Sequence, residues 1–220
     1  MKKYIPIALF IGICQILFSQ VTDINDKIYR TTLIGSKIWM SENLDVDKFQ
    51  NGDIIPQAKS ASEWNAYSDA EEPAWCYLKY NLNNGTKYGK LYNWYAVNDP
   101  RGLAPKGFHI PSSQDWDDLI NYLGGKTIAG AKMKSLSGWF EDGNGTNSSG
   151  FSGLPSGYLL FGSSFVEEYG AWWSSTEWIY DTGAHSGACF SIFLSYQNGS
   201  CEVSRGHLKS EGLAVRCVKD

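Results

Sequence analysis

The clearest hydrophobic pattern of the chain lies between residues 112 and 124. Its large apolar side chains recur at i, i+3, i+4 and i+7, namely Trp116, Leu119, Ile120 and Leu123. This spacing predicts a helix with one buried face. Ser112 or Ser113 can cap the helix, Asp115 takes the third helical position of a capping box, and Gly124 ends the helix. The nearby acidic residues therefore favour helix capping over metal binding.

Shorter β-prone segments lie on both sides of this helix. Residues 26–34 and 37–40 flank a Gly-Ser turn and predict two antiparallel strands. Residues 189–196 form an apolar run that leads into Asn198-Gly199, a dipeptide typical of a hairpin.

The segment 86–97 is ambiguous. Leu91, Trp94 and Tyr95 fall at helical spacing and predict a helix, although aromatic side chains also suit a strand. Beyond residue 128, glycines separate further β-prone segments at 158–161, 171–176 and 213–218. The pattern predicts an α+β fold with one or two helices and long loops. We expect a mixed or antiparallel sheet of short strands, closed by the two ends of the chain.

Residues 1–20 have the pattern of a secretory signal. A basic start, Met1-Lys2-Lys3, precedes an apolar run from Ile5 to Phe18 and a polar exit. A membrane span needs roughly 20 apolar residues, so we expect no stable transmembrane anchor, a retained anchor being the alternative. We therefore predict a leader at 1–20 and one domain at 21–220. This domain would be secreted or held at the outer cell surface or in the periplasm.

Composition narrows the class of protein. The net charge is −4 and no basic stripe is present, which argues against nucleic acid as a partner. Aromatic residues make up 15% of the chain and occur together with 23 glycines. This combination indicates loops and turns packed on rigid side chains.

Four cysteines follow the leader: Cys76, Cys189, Cys201 and Cys217. An even number in an exported protein favours two disulfides over free thiols. The close cysteine pairs of a metal site are absent from the sequence. Of the three connectivities, the predicted hairpin favours Cys189–Cys201, which leaves Cys76–Cys217.

Several runs, in this order along the chain, resemble the Fibrobacter succinogenes major paralogous domain family. They are Trp39-Met40-Ser41-Glu42-Asn43-Leu44, residues 88–97, residues 103–111, residues 150–158, residues 172–177 and residues 215–220. The resemblance covers roughly residues 22–220. It implies an exported protein, often near the cell surface, with a fold similar to the C-type lectins and the formylglycine-generating enzymes. The nested cysteine order is also similar to C-type lectins.

The resemblance implies no activity. The calcium-binding triplets of C-type lectins, Glu-Pro-Asn or Gln-Pro-Asp and Trp-Asn-Asp, do not occur in this sequence. The late cysteines do not reproduce the copper-holding pair of the formylglycine-generating enzymes. No nucleophile, zinc-protease or paired-carboxylate motif accompanies His109, His185 and His207. We therefore expect no catalytic residues, no cofactor and no metal site.

The loop 141–147 carries oxygen-bearing side chains at alternating positions, as calcium loops do. It lacks the glycine and distal glutamate of an EF-hand loop, which favours a polar turn-rich loop instead.

Aromatic loops are the remaining candidates for a binding site. Exposed Trp and Tyr rings beside polar side chains pack against sugar rings. The binding candidates are Trp139 before the polar loop, and Trp178, Tyr180 and Asp181 after the strand at 171–176. Trp64 and Tyr67, which flank Asn65, are a further aromatic pair.

These observations favour a non-catalytic binding module with a glycan or a surface protein as its partner. The alternative is a structural envelope component without a small-molecule site. An enzyme related to the formylglycine-generating enzymes is the third hypothesis.

Overall fold

The computed structural model describes residues 20–179 and 185–220. The strands in these ranges are β1 (Gln20–Thr22), β2 (Ile28–Ile34), β3 (Lys37–Met40), β4 (Trp75–Cys76), β5 (Leu91–Tyr92), β6 (Phe108–His109), β7 (Tyr158–Leu160), β8 (Ser164–Val166), β9 (Tyr169–Ile179), β10 (His185–Ser195), β11 (Cys201–Leu208) and β12 (Val218–Lys219). The α-helices are α1 (Ala61–Asp69), α2 (Gly85–Tyr88), α3 (Trp94–Val97), α4 (Ser113–Tyr122) and α5 (Lys126–Met133). Short 3-10 helices occupy Leu78–Tyr80, Leu82–Asn84 and Phe140–Asp142.

Two antiparallel sheets carry most of the strand pairing. The larger sheet has the order β1-β2-β3-β12-β6, so the last strand of the chain lies between β3 and β6. The smaller sheet has the order β11-β10-β9. The described residues thus form an α+β fold with an antiparallel sheet that joins both ends of the domain, as the sequence predicts.

Most of the predicted leader lies outside the described residues. Its last residue, Gln20, is the first residue of β1 and lies opposite Arg30. Cleavage between Ser19 and Gln20 would leave this strand whole.

The turn between β2 and β3 and the N-terminal cap of α4 form as the sequence predicts. Gly35 has a φ of 66°, the conformation that the tight turn between β2 and β3 requires. At the start of α4, the Ser112 Oγ accepts a hydrogen bond from the Asp115 N–H at 3.2 Å. The Asp115 carboxylate accepts one from the Ser112 N–H at 2.8 Å, which completes the capping box.

Two helices of eight or more residues, α1 and α5, add to the predicted α4. Ser60 caps α1 by accepting a hydrogen bond from the Glu63 N–H. The predicted helix over 86–97 is instead broken into α2, β5 and α3. Gly89, at a φ of 74°, ends α2, and β5 pairs with β4 before the Asn93 side chain caps α3.

Two clusters of buried apolar side chains form the core. Strand β9 serves both, because Trp172 packs in one cluster and Trp173 in the other, and both indoles are fully buried. Successive strand residues point to opposite faces, which explains the division. Phe151 lies at the centre of the Trp172 cluster and meets Trp39, Trp116 and Trp172 edge-on.

The predicted disulfides do not form, since all four cysteines are free and buried. Cys189 lies opposite His207 and Cys201 lies opposite Leu194, which places the two cysteines five residues apart along the hairpin. At about 3.4 Å per residue this is roughly 17 Å, well beyond the reach of a disulfide. Cys76 and Cys217 pack in different core clusters. The hairpin is therefore as predicted, and the cysteine pairing is wrong.

Burial governs the chemistry of these thiols. It raises the pKa of Cys189 to about 12 and raises the pKa of Cys76, Cys201 and Cys217 as well. We predict that folded protein of residues 20–220 shows no thiols to a soluble disulfide reagent and that the same protein in guanidinium shows all four. A reductant should leave the melting temperature unchanged. An intact mass that rises on reduction would contradict the free-thiol assignment.

A second prediction concerns acid stability. Burial raises the pKa of Asp115, but hydrogen bonds from Lys37 and Ser112 outweigh burial and lower the pKa to about 2. Because the folded pKa lies below the unfolded value, this carboxylate stabilises the protein above about pH 4 and loses that effect as pH falls towards about 2.

We expect Asp115→Asn to lower the free energy of unfolding by about 2 kcal/mol at neutral pH, with a difference that shrinks below about pH 4. Urea unfolding of both proteins at neutral pH and below about pH 4 measures this difference. Asp117→Asn, an exposed change on the same helix, is the matched control. A deficit that stays constant with pH would mean that the Asp115 charge is not responsible.

Candidate functional site

Two of the aromatic candidates are core residues. Trp139 is only 5% exposed, and its Nε1–H lies 3.1 Å from both the Ser135 Oγ and the Gly153 carbonyl. Trp64 is buried in α1 and donates its Nε1–H to the Ser210 carbonyl at 2.8 Å. Neither indole offers a face to a sugar, so the prediction of Trp139 as a binding residue is wrong.

Trp178 lies on β9 and is half-buried. The Arg205 guanidinium stands 4.8 Å from the centre of its ring, and the Phe190 ring packs edge-on at 5.5 Å. Arg205 therefore covers part of this indole. Tyr180 and Asp181 lie outside the described residues.

The loop 141–147 is held by a cation of the protein itself. The Lys134 ammonium is buried and donates to the carbonyls of Gly143 at 2.5 Å, Asn198 at 2.8 Å and Ser195 at 3.0 Å. Burial lowers the pKa of Lys134. Because these three bonds match the three donors of an ammonium group, this lysine joins the loop to the β10–β11 turn without a metal ion.

Groups of three or more His, Cys, Asp or Glu side chains that could hold a metal ion do not occur in residues 20–179 and 185–220. Within the same ranges, no helix has the length and apolar character needed to cross a bilayer.

One candidate site is a shallow groove of about 140 Å³ at the end of the smaller sheet, here called the aromatic groove. It is lined by Tyr169, Phe193, Ser195, Gln197, Asn198, Ser200 and Glu202. The ladder explains the grouping, because Phe193 lies opposite Glu202 and Ser195 lies opposite Tyr169. Two partly exposed rings thus stand beside two exposed amides and an exposed carboxylate.

The Phe193 ring is fixed from behind. His207 stacks on it with ring centres 4.9 Å apart and 23° between the planes, while Tyr158 meets it edge-on at 5.2 Å. His207 is itself buried, and its Nδ1 is hydrogen-bonded to the Glu211 carboxylate. The groove therefore has a preorganised aromatic wall. The sequence signal for it is the alternation along β10, in which Ile192 and Leu194 point to one core cluster and Phe193 lies on the opposite face, partly buried against the other cluster.

The second candidate site is a cavity of about 540 Å³ beside the larger sheet, here called the basic cavity. Its lining includes side chains from β2, the segment after β3, α2 and the loop before β7. Four cations and one carboxylate line it: Lys27, Arg30, Lys87 and Arg216, with Glu42. A volume of several hundred Å³ is typical of small-molecule sites.

Arg216 contributes the buried part of this lining and is only 1% exposed. The Asn43 Oδ1 accepts from its Nη2 at 2.6 Å and from its Nε at 3.2 Å, and the carbonyls of Met40 and Phe151 accept from Nη1. The guanidinium also lies 4.3 Å from the Phe151 ring centre. Burial lowers the pKa of Arg216 to about 9, which keeps the group charged at neutral pH.

Glu42, the one acid of this lining, acts on Arg216 through its charge but makes its hydrogen bonds elsewhere. Glu42 accepts a hydrogen bond from the Arg30 Nε at 2.9 Å. At the mouth, Lys27 pairs with Asp45 at 2.7 Å, and Asp45 also binds the buried Lys90 at 2.7 Å. Lys87 stands 4.6 Å from the centre of the Tyr88 ring. The basic cavity therefore keeps an excess of positive charge in a protein of net charge −4.

The segments that meet at Arg216 come from the runs that carry the family resemblance. Asn43, Tyr88, Phe151, Trp172 and Arg216 each belong to a different run, and Asn43 contacts three of the others through hydrogen bonds. No curated protein and no solved structure matches the chain. The family model described as the Fibrobacter succinogenes major domain matches residues 33–219. The chain therefore belongs to the Fibrobacter succinogenes major domain family.

Proposed function

We propose that this protein is an exported, non-catalytic binding module that recognises glycans at the aromatic groove. The observation that carries the proposal is the pairing of partly exposed Tyr169 and Phe193 with the polar side chains of Gln197, Asn198 and Glu202. Sugar rings pack on aromatic faces while amides and carboxylates bind their hydroxyl groups. Because His207 and Tyr158 fix the Phe193 ring, little side-chain entropy is lost on binding.

Export to the cell surface, the periplasm or the medium is part of the same proposal. It rests on the signal pattern of residues 1–20. A C-type-lectin-like fold is also proposed. The presence of β1 and β12 in one sheet, where β2 and β3 lie between them, supports it, as does the long segment between β3 and β12.

Two features support a binding role over an enzyme. The four described cysteines are buried with raised pKa values, which makes them poor nucleophiles. His207 is enclosed by Phe193, Tyr158 and Trp173 and bonded to Glu211, as a supporting residue would be. A structural envelope component remains the alternative function, favoured if no ligand binds the groove.

The test is a binding screen of the mature domain, residues 20–220, against soluble neutral oligosaccharides. We expect Phe193→Ala to weaken binding about tenfold, since it removes the ring on which the sugar packs. Gln197→Ala and Glu202→Ala, which change exposed side chains, should weaken binding without lowering the melting temperature. Titration calorimetry gives the affinities.

Trp178→Ala is the matched control, because it removes an aromatic ring from β9 outside the groove lining. It should leave the affinity unchanged. Loss of binding in Trp178→Ala with full binding in Phe193→Ala would place the site elsewhere. If a folded sample binds none of a broad panel of oligosaccharides, the structural role is favoured.

Calcium should have no effect on this binding. The Lys134 ammonium already occupies the carbonyl groups that tie down the loop 141–147, and a divalent cation beside it would be repelled. We expect equal melting temperatures and equal affinities with calcium and with a chelator. A melting temperature that rises with calcium would contradict this assignment.

A further inference from the structure

The basic cavity contains a charge that the protein does not neutralise by direct contact. Within residues 20–179 and 185–220, the acceptors of the Arg216 guanidinium are neutral oxygens, from Asn43, Met40 and Phe151. Its Nη2 has two N–H groups, and among the described residues only the Asn43 Oδ1 accepts from it. Burying an ion carries a desolvation penalty, which Glu42 offsets through its charge without a hydrogen bond to Arg216. A negatively charged ligand in the cavity would add to that compensation.

Arg30 and Lys87, at the rim of the cavity, add to its positive potential. Arg30 keeps two Nη groups beyond its bond to Glu42, because only its Nε and backbone N–H donate there. Lys87 is exposed and contacts the Tyr88 ring. A guanidinium presents its donors in a fork that matches the two oxygens of a carboxylate. The donors at the rim therefore match the two oxygens of a carboxylate better than they match a monatomic anion.

The rest of the lining fits a sugar. Ser41, Thr86 and Ser152 also line the cavity, and the partly buried Tyr88 ring forms one wall. Hydroxyl groups match the hydroxyls of a saccharide, and an aromatic wall matches its apolar face. A simple inorganic anion would make no use of the Tyr88 wall.

We propose that the basic cavity is a second binding site that takes an acidic saccharide, with the carboxylate of a uronate unit held by Arg30 and Lys87 in the field of Arg216. This site lies on different residues from the aromatic groove and does not rest on it. A sulfate ester offers a similar charge in place of the carboxylate, so the experiment contains both acids.

The experiment titrates the mature domain with tri-galacturonate, with galactotriose as the neutral match, and with a sulfated galactose oligomer. We expect tri-galacturonate to bind, with an affinity that falls as salt rises. Galactotriose should not compete for this site. Stronger binding of the sulfated oligomer than of the uronate would overturn the carboxylate assignment, and equal binding of the neutral sugar would overturn the role of charge.

Variants at the rim test the residues in both directions. Arg30→Gln should weaken binding about tenfold, because it removes the fork and leaves Glu42 unpaired. Lys87→Gln should weaken it about threefold. Glu42→Gln removes the one acid of the lining and should tighten binding about threefold, a gain that loss of folding cannot imitate.

Lys59→Gln is the control for charge, since Lys59 is exposed and is not part of the lining. It should have no effect. Arg216→Lys will also disturb the core, so the rim variants carry the test. Phe193→Ala should leave tri-galacturonate binding intact, which separates this site from the aromatic groove. Equal binding of poly-glutamate, lost in the same variants, would overturn the saccharide assignment, as would absence of any binding.

Discussion

The Asn43 carboxamide holds the charge of Arg216 in the core, and the packing of the domain depends on this contact. One oxygen of Asn43 accepts hydrogen bonds from the Arg216 guanidinium and from the Trp172 indole. Its amide nitrogen donates to the Tyr88 carbonyl at 2.9 Å. The contact therefore fixes four segments that are distant in sequence. Because a buried charge that loses its hydrogen-bond partners is strongly destabilising, we expect these four segments to pack cooperatively.

The aromatic core is arranged around the same contact. Arg216 lies over the Phe151 ring, and Phe151 is in turn enclosed by Trp39, Trp116 and Trp172. A cation over an aromatic face is attracted by the ring quadrupole, and a desolvated pair gains about 2 kcal/mol. Large rigid rings in a glycine-rich chain can thus form a defined core even though the regular elements are short.

The features predicted correctly from the sequence are those whose information lies within a few residues. The capping box of Ser112 and Asp115, and the hairpin before Asn198-Gly199, are of this kind. The prediction of the disulfides was wrong because a hairpin signal specifies which strands are neighbours but not which residues face each other. The prediction of Trp139 as a binding residue was wrong because its hydrogen-bond partner Gly153 lies 14 residues away across a loop. The aromatic groove depends on ladder register between Phe193 and Glu202, which no single segment reveals.

With its four described cysteines free, the domain joins its long segments through buried cations instead. Lys90 binds the Asp45 backbone and carboxylate, Lys134 binds three carbonyls, and Arg216 binds Asn43 and two carbonyls. Each cation has several donors, so each can join segments that a single neutral hydrogen bond could not. Lys90 has a carboxylate partner and Lys134 uses all its donors on carbonyls. Arg216 alone among these three lines the basic cavity, so its charge is the one that adds to the positive potential there.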